Sequence, residues 1–314
     1  MYHPYLRGKQ YELMTVREMA PLLKKADFRP VIEPVRETLS GLRKALGAVV
    51  EAGGRAIVIV NPYHGDLSDS GAALTELLNE EFSESSAISA GILLKQPVAL
   101  DEALKCREAH INHDPVFIHA GFTDAKALAQ SLGPPTQDQC HVFFDRLCGK
   151  LYQKHFKGAR RILIRDGFER RRNADYDLVE IFSDLHATFQ DEGMDGFGDF
   201  LTVGDDFTEG GGPAYAVAVH LTFIDPEQDD AMRVYHFVSD RQDTPKDPAG
   251  KFAEALAKMM DVLSGPGSKM LETSAVKEFR ALHEQGHFPG LGYVKKLSMN
   301  HHIATLAGYF GPEE

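Results

Sequence analysis

Polar side chains suited to binding anions, moving protons or ligating cations recur in this chain at the downstream ends of short apolar runs. Arg7 and Lys9 follow YHPYL, Glu33 follows PVI, Asn61 follows AIVIV and Lys95 follows AGILL. His119 then follows PVFI, Asp145 follows HVFF, Arg165 and Asp166 follow RILI, and Asp205 and Asp206 come just after FLTV. If the runs are parallel strands of one closed sheet, these side chains converge on one mouth, where barrel enzymes hold their working groups. Arg7, Lys9, Asn61, Lys95 and Arg165 are the expected ligand-binding set, with the cations holding an anion. Glu33, His119 and Asp166 are the acid/base candidates. Asp145 and Asp205 are candidate ligands for a divalent metal such as magnesium, which favours oxygen donors. The competing explanation is that strand ends are polar because they reach solvent, with the charges pairing among themselves.

Within this series, Arg7-Gly8-Lys9 is the sharpest local element. Two cations flank a glycine that permits close backbone approach, a composition suited to phosphate or carboxylate. It lacks the frame of a P-loop, and a salt bridge to Glu12 or Glu33 is the alternative. The adjacent carboxylates of GDDF (204–207) point to opposite faces if the segment is a strand, which weakens a joint metal site. His64, four residues after the third apolar run and near Asp66, lies within reach of the mouth. His301 and His302 sit in a helical pattern about 100° apart, so one of them is expected to be packed and hydrogen-bonded in the interior. The basic stretch 165–172 follows the seventh run, where barrels often hold phosphate, unless it pairs with Asp175 and Asp177. No zinc-protease, nucleophile-elbow or EF-hand motif occurs.

The elements that would position these residues alternate with a regular beat. Strand patterns at 2–6, 28–33, 55–61, 87–94, 115–119, 139–145 and 161–165 are separated by helical patterns, and 200–204 is the eighth strand candidate. The unbroken run Ile57-Val58-Ile59-Val60 is what a parallel strand covered on both faces requires. A long helix is expected near 176–192. This alternation is shared with doubly wound open sheets, but eight strands each followed by a polar group favour an α/β fold of the (β/α)₈ TIM-barrel type. After Asp206 the pattern changes to a glycine-rich loop (TEGGGPAY), a hairpin near 215–223 and 233–239, and helices near 251–263, 274–283 and 293–309. The expected organisation is one domain, with a barrel core at 1–206 and an integrated C-terminal β-hairpin and helical cap at 207–314.

The opening YHPYLRGKQYELMTVREMAP, the segments FRPVIEPV, GDFLTVGDDF and MRVYHFVSD, and the closing NHHIATL resemble a family known as Beta protein, found in phages, mobile elements and bacterial genomes. That family looks TIM-barrel-like and has no established biochemical role. The resemblance implies a barrel, points to Arg7, Lys9 and Glu33, and implies a setting of phage–host conflict beside a nuclease-like or other defence partner.

Composition narrows the classes. The chain has 34 Lys and Arg against 46 Asp and Glu, a net charge of −12. That balance argues against non-specific duplex nucleic acid binding, which needs many phosphate-neutralising cations. Its 3 cysteines, at irregular spacing, fit neither a disulfide framework nor a CxxC metal site and suit a reducing, cytoplasmic compartment. No apolar run approaches the ~20 residues of a membrane span, so no membrane partner is expected. The sequence thus points to a cytoplasmic barrel protein that binds a phosphorylated or anionic ligand and acts on it, with phosphoester hydrolysis the first reaction to test. The other reading is a non-enzymatic partner or sensor protein of a phage-defence or mobile-element module.

Overall fold

Short β-branched and aromatic runs build the central sheet: β1 (Tyr5–Leu6), β2 (Val31–Ile32), β3 (Ala56–Ile59), β4 (Ile88–Leu94), β5 (Val116–His119), β6 (Cys140–Phe144) and β7 (Arg160–Ile164). Further along the chain come β8 (Val179–Ser183), β9 (Gly196–Gly198), β10 (Ala218–Asp225) and β11 (Ala231–Val238). The computed structural model describes residues 1–83, 85–210 and 215–311. Residues 211–214 of the glycine-rich loop expected at 208–215 therefore lie outside the described residues. Two compact units are formed, Met1–Arg165 with Thr188–Asp199, and Asp166–Ala187 with Phe200–Glu314.

The first unit is an eight-stranded parallel sheet in the order β1-β2-β3-β4-β5-β6-β7-β9. It returns on itself through a parallel bridge between Tyr2 and Phe197. His3 N–H donates to Phe197 O at 2.8 Å, and Tyr5 N–H to Asp199 O at 2.9 Å. The barrel reading of the sequence is thus met at the level of an α/β fold. Helices α1 (Gln10–Lys25), α2 (Ser40–Glu51), α3 (Ala72–Glu81), α4 (Leu100–Ala109), α5 (Ala125–Leu132) and α6 (Lys150–Gln153) alternate with the strands. The apolar stripe of α1 buries Val16, Met19, Ala20 and Leu23, as its three- and four-residue spacing predicts.

The eighth barrel strand is β9, not the expected 200–204, where Leu201–Val203 form a single 3-10 turn. Glycines disguise β9 as a turn, yet they are what the closure needs. A Cβ on Gly198 would stand 2.1 Å from the His3 carbonyl oxygen, so only glycine lets the last strand approach the first. The long helix expected near 176–192 is likewise replaced by β8 and a short α7 (Leu185–Thr188). Val179 and Ile181 are β-branched, and β11 offers β8 an edge, with Val179 opposite Tyr235 and Glu180 opposite Val234.

In the second unit, β8, β10 and β11 form an antiparallel sheet in the order β10-β11-β8. The 218–225 and 231–238 hairpin pairs in continuous register, with His220 opposite His236. Helices α8 (Pro248–Ser264), α9 (Ser274–Gln285) and α10 (Leu291–Tyr309) complete this unit. Val219, Leu221 and Phe237 of the hairpin share a buried core with Phe252, Phe279 and Leu297 of the helices. Both histidines of α10 are packed: His301 Nδ1 lies 2.9 Å from Thr273 Oγ1, and His302 Nδ1 lies 2.9 Å from Thr222 Oγ1. Among the described residues no helix is long and apolar enough to cross a membrane.

Candidate functional site

Which face of the barrel wall each strand-end residue occupies follows from the two-residue period of a strand and the observed registers. Tyr5 is level with Val31, Val31 with Ile57, and Ile57 with Ser89. The Tyr5 ring meets that of Phe144, from a strand far away in the sheet order, at a centroid separation of 5.3 Å. Only the barrel interior allows that contact, so this parity faces inward. Followed past Tyr5, Val31, Ile59 and Leu93 by two residues each, the same parity aims Arg7, Glu33, Asn61 and Lys95 at the C-terminal mouth.

The opposite parity faces outward. His119 and Phe143 are level, and both pack on Tyr152 and Phe156 from the α6 segment. His119 is fully buried there, with Nδ1 2.7 Å from Tyr152 Oη and Nε2 2.9 Å from His141 Nδ1. Burial, with His141 beside it, pushes its pKa well below the usual imidazole range and keeps it neutral. The His119 expected at the mouth is therefore a buried outer-wall histidine. Asp145 and Arg165 share the outward parity and bond each other, Arg165 Nε donating to Asp145 Oδ2 at 2.7 Å. Arg165 also reaches Glu192 at 3.3 Å, and Glu192 pairs with Lys150. These two residues form an ion-pair chain on the outer wall rather than part of the interior set.

At the mouth, three loops converge on Glu33. Its side chain, 1 % exposed, accepts hydrogen bonds from Tyr5 Oη at 2.9 Å, Tyr63 N–H at 3.0 Å and His64 N–H at 3.1 Å. His64 Nδ1 lies 2.9 Å from Glu33 Oε1, and Arg7 Nε lies 3.2 Å from Glu33 Oε2. Burial on its own would raise the pKa of Glu33. The His64 hydrogen bond, the Arg7 charge and the Tyr5 hydroxyl outweigh it and hold the carboxyl at about 2. Arg7 Nη1 is also 3.1 Å from His64 Nδ1. That nitrogen cannot accept from Arg7 while donating to Glu33. The ionised carboxylate is the stronger partner, so Nδ1 carries the hydrogen and Nε2 is the acceptor nitrogen.

Sequence punctuation makes the convergence geometrically feasible. Gly65 has φ +77°, and a Cβ there would sit 2.1 Å from the Val35 carbonyl oxygen, so the 61–65 turn can lie against the segment after β2 only with glycine. The cationic loop is held from below by Glu12 of the first turn of α1. Burial raises its pKa, opposed by the Lys9 charge and by hydrogen bonds from the Lys9 and Arg7 backbone. Glu12 thereby satisfies the start of the helix as an N3 carboxylate does in a capping box. The Asn61 amide continues the ladder of the wall, Nδ2 donating to Leu93 O at 2.9 Å and Oδ1 accepting from Leu93 N–H at 2.8 Å. Lys95 Nζ lies 4.1 Å from the centroid of the Tyr63 ring.

Asp166 and Asp205 belong to the second unit. The Asp166 carboxylate accepts from Phe168 N–H at 3.0 Å and from Asp205 N–H at 2.8 Å, so it clamps two backbone turns. The basic stretch is locally neutralised: Arg171 bridges Glu169 and Glu180, each at 2.8 Å, and Arg172 meets Asp175 at 2.9 Å. Among the described residues no group of three or more His, Cys, Asp and Glu side chains is arranged to hold a metal ion.

The site thus consists of Arg7, Glu33 and Lys95 from the expected set, joined by Tyr5, Tyr63 and His64. His64 was flagged only by its distance from the third strand. Its neighbour Asp66 instead accepts from Glu37 N–H at 3.2 Å. Chemically, a buried carboxylate, an imidazole and two nearby cations can hold an anion beside a group able to exchange a proton. No protein-family description, curated protein or solved structure matches the chain.

Proposed function

We propose that the barrel mouth binds a phosphorylated or otherwise anionic ligand between Arg7, Lys9 and Lys95 and hydrolyses a phosphoester bond, with His64 as the acid/base group. The carboxylate–imidazole contact of 2.9 Å between Glu33 and His64 supports this reading most. Glu33 is the positioning residue: ionised down to about pH 2, it fixes the tautomer and orientation of the ring and stabilises the imidazolium. His64 Nε2 takes a proton from water as the water oxygen bonds to phosphorus. The same proton then passes to the leaving oxygen as the ester P–O bond breaks, giving phosphate and an alcohol. Arg7 and Lys95 offset the charge on the remaining phosphoryl oxygens. A cytoplasmic setting and membership of the Beta protein family belong to this reading as proposals.

Wild type and His64→Gln should be assayed against p-nitrophenyl phosphate and bis(p-nitrophenyl) phosphate. The expected outcome is turnover by wild type and a kcat lower by roughly 10²–10⁴-fold in His64→Gln, the usual weight of a general acid/base. A wild-type chain inert on both esters, and not stabilised thermally by inorganic phosphate, would sink the proposal.

One observation favours a second reading. Glu33 is already satisfied by four hydrogen bonds and the Arg7 ion pair without any ligand. In that reading the mouth charges are structural, and the hairpin and helices of the second unit serve as the partner surface of a defence or mobile-element protein. A stoichiometric partner that still co-purifies with Lys9→Ala would favour it.

A further inference from the structure

Tyr63 is the mouth residue for which the acid/base chemistry has no use. Its backbone is tied to Glu33 Oε1, its ring stands edge-on to His64 at 5.0 Å and 84°, and Lys95 Nζ lies over that ring at 4.1 Å. Yet 51 % of the residue is exposed, and its hydroxyl makes no hydrogen bond to any described residue. A held aromatic ring is thus presented to solvent within one residue of the imidazole and in contact with one of the anion-binding cations.

We propose that Tyr63 is a stacking platform and that the ligand is a nucleotide, its base lying on the Tyr63 ring and its phosphate among Lys95, Arg7 and Lys9. This rests on the anion-binding reading above and adds the class of ligand. A cation against an aromatic ring draws on its electron density, which favours stacking by an electron-rich planar purine over contact with a saturated sugar. Base–aromatic stacking tolerates any base, because every base has a π-face, so the platform selects nucleotides as a class. It is also pre-organised: the backbone bond to Glu33 and the packing on His64 leave little side-chain freedom to be lost on binding.

Isothermal titration of the full chain with adenosine 5′-monophosphate, ribose 5-phosphate and inorganic phosphate tests this. In wild type, adenosine 5′-monophosphate should bind on the order of tenfold more tightly than ribose 5-phosphate, the weight of one base–aromatic stack. In Tyr63→Ala the ratio should fall to about one, and Tyr63→Phe should restore it, because the ring and not the hydroxyl carries the contact. Equal affinity of wild type for adenosine 5′-monophosphate and ribose 5-phosphate overturns the stacking inference while leaving anion binding standing. A preference for the nucleotide that survives in Tyr63→Ala overturns it too, by placing the base elsewhere. Absence of binding by all three ligands overturns both the inference and the anion-binding reading beneath it.

Discussion

Glu33 is a buried carboxylate surrounded by donors, and its replacement exposes how much the mouth depends on one charge. In Glu33→Gln the amide cannot accept at both of its ends, and Arg7, itself only 7 % exposed, loses its counter-ion. Breaking a buried pair from one side typically costs about 3–5 kcal/mol, so Glu33→Gln should lower the urea midpoint accordingly. A change within about 0.5 kcal/mol would mean that water replaces the lost partner and that Glu33 is not the keystone of the mouth. Glu33 and Arg7 were legible in the sequence because each ends an apolar run. The surroundings of Glu33 were not, since no sequence pattern reveals the donors collected from 28 to 31 residues away. His64 was marked only by its distance from the third strand, and its contact with Glu33 was hidden for the same reason.

At the scale of elements, the wall of the barrel is decided by parity and by glycine. Gly198→Ala places a methyl carbon 2.1 Å from the His3 carbonyl oxygen, a backbone atom that cannot swing aside. It should destabilise the chain by at least the ~1–3 kcal/mol of core overpacking. Gly47→Ala is the control: it lies inside α2, a Cβ there meets nothing within 4 Å, and alanine should stabilise the helix by about 0.5–1 kcal/mol. Chemical denaturation of both variants checks the pair, and a neutral Gly198→Ala would show that β9 can move off β1. The same elements mark where sequence reading stopped. The alternation of strand and helix was plain, but a two-glycine strand reads as a turn, and β8 reads as helix until β11 is there to pair with it. Nor does a polar residue after a strand declare its face: Phe143 to Asp145 and Tyr5 to Arg7 are the same step taken on opposite sides of the wall.

Across the whole molecule, burial of neutral histidines sets the response to acid. His3 and His141 are held at about 3, and His236 and His301 at about 4, in each case chiefly by burial. The unfolded chain takes up these protons near the ordinary value of 6.5 and the folded chain does not. Their stabilising contribution is therefore complete above about pH 6.5 and is lost as pH falls toward their folded values. Glu33 adds a later loss, beginning below 4.5 and running to about 2. Urea midpoints should accordingly decline between about pH 7 and about pH 5, above the range in which Glu33 contributes, and steepen below that. A flat profile over that interval would show that these histidines are solvated in the native state. By itself, the sequence determined the strand–helix alternation, the parallel core and the cluster of charges after the strands, because these follow from local periodicity and turn chemistry. Tertiary structure decided which charges meet. Closing the sheet turns strand parity into inside and outside, bringing Arg7, Glu33 and His64 together from separate loops and sending His119, Asp145 and Arg165 to the outer wall.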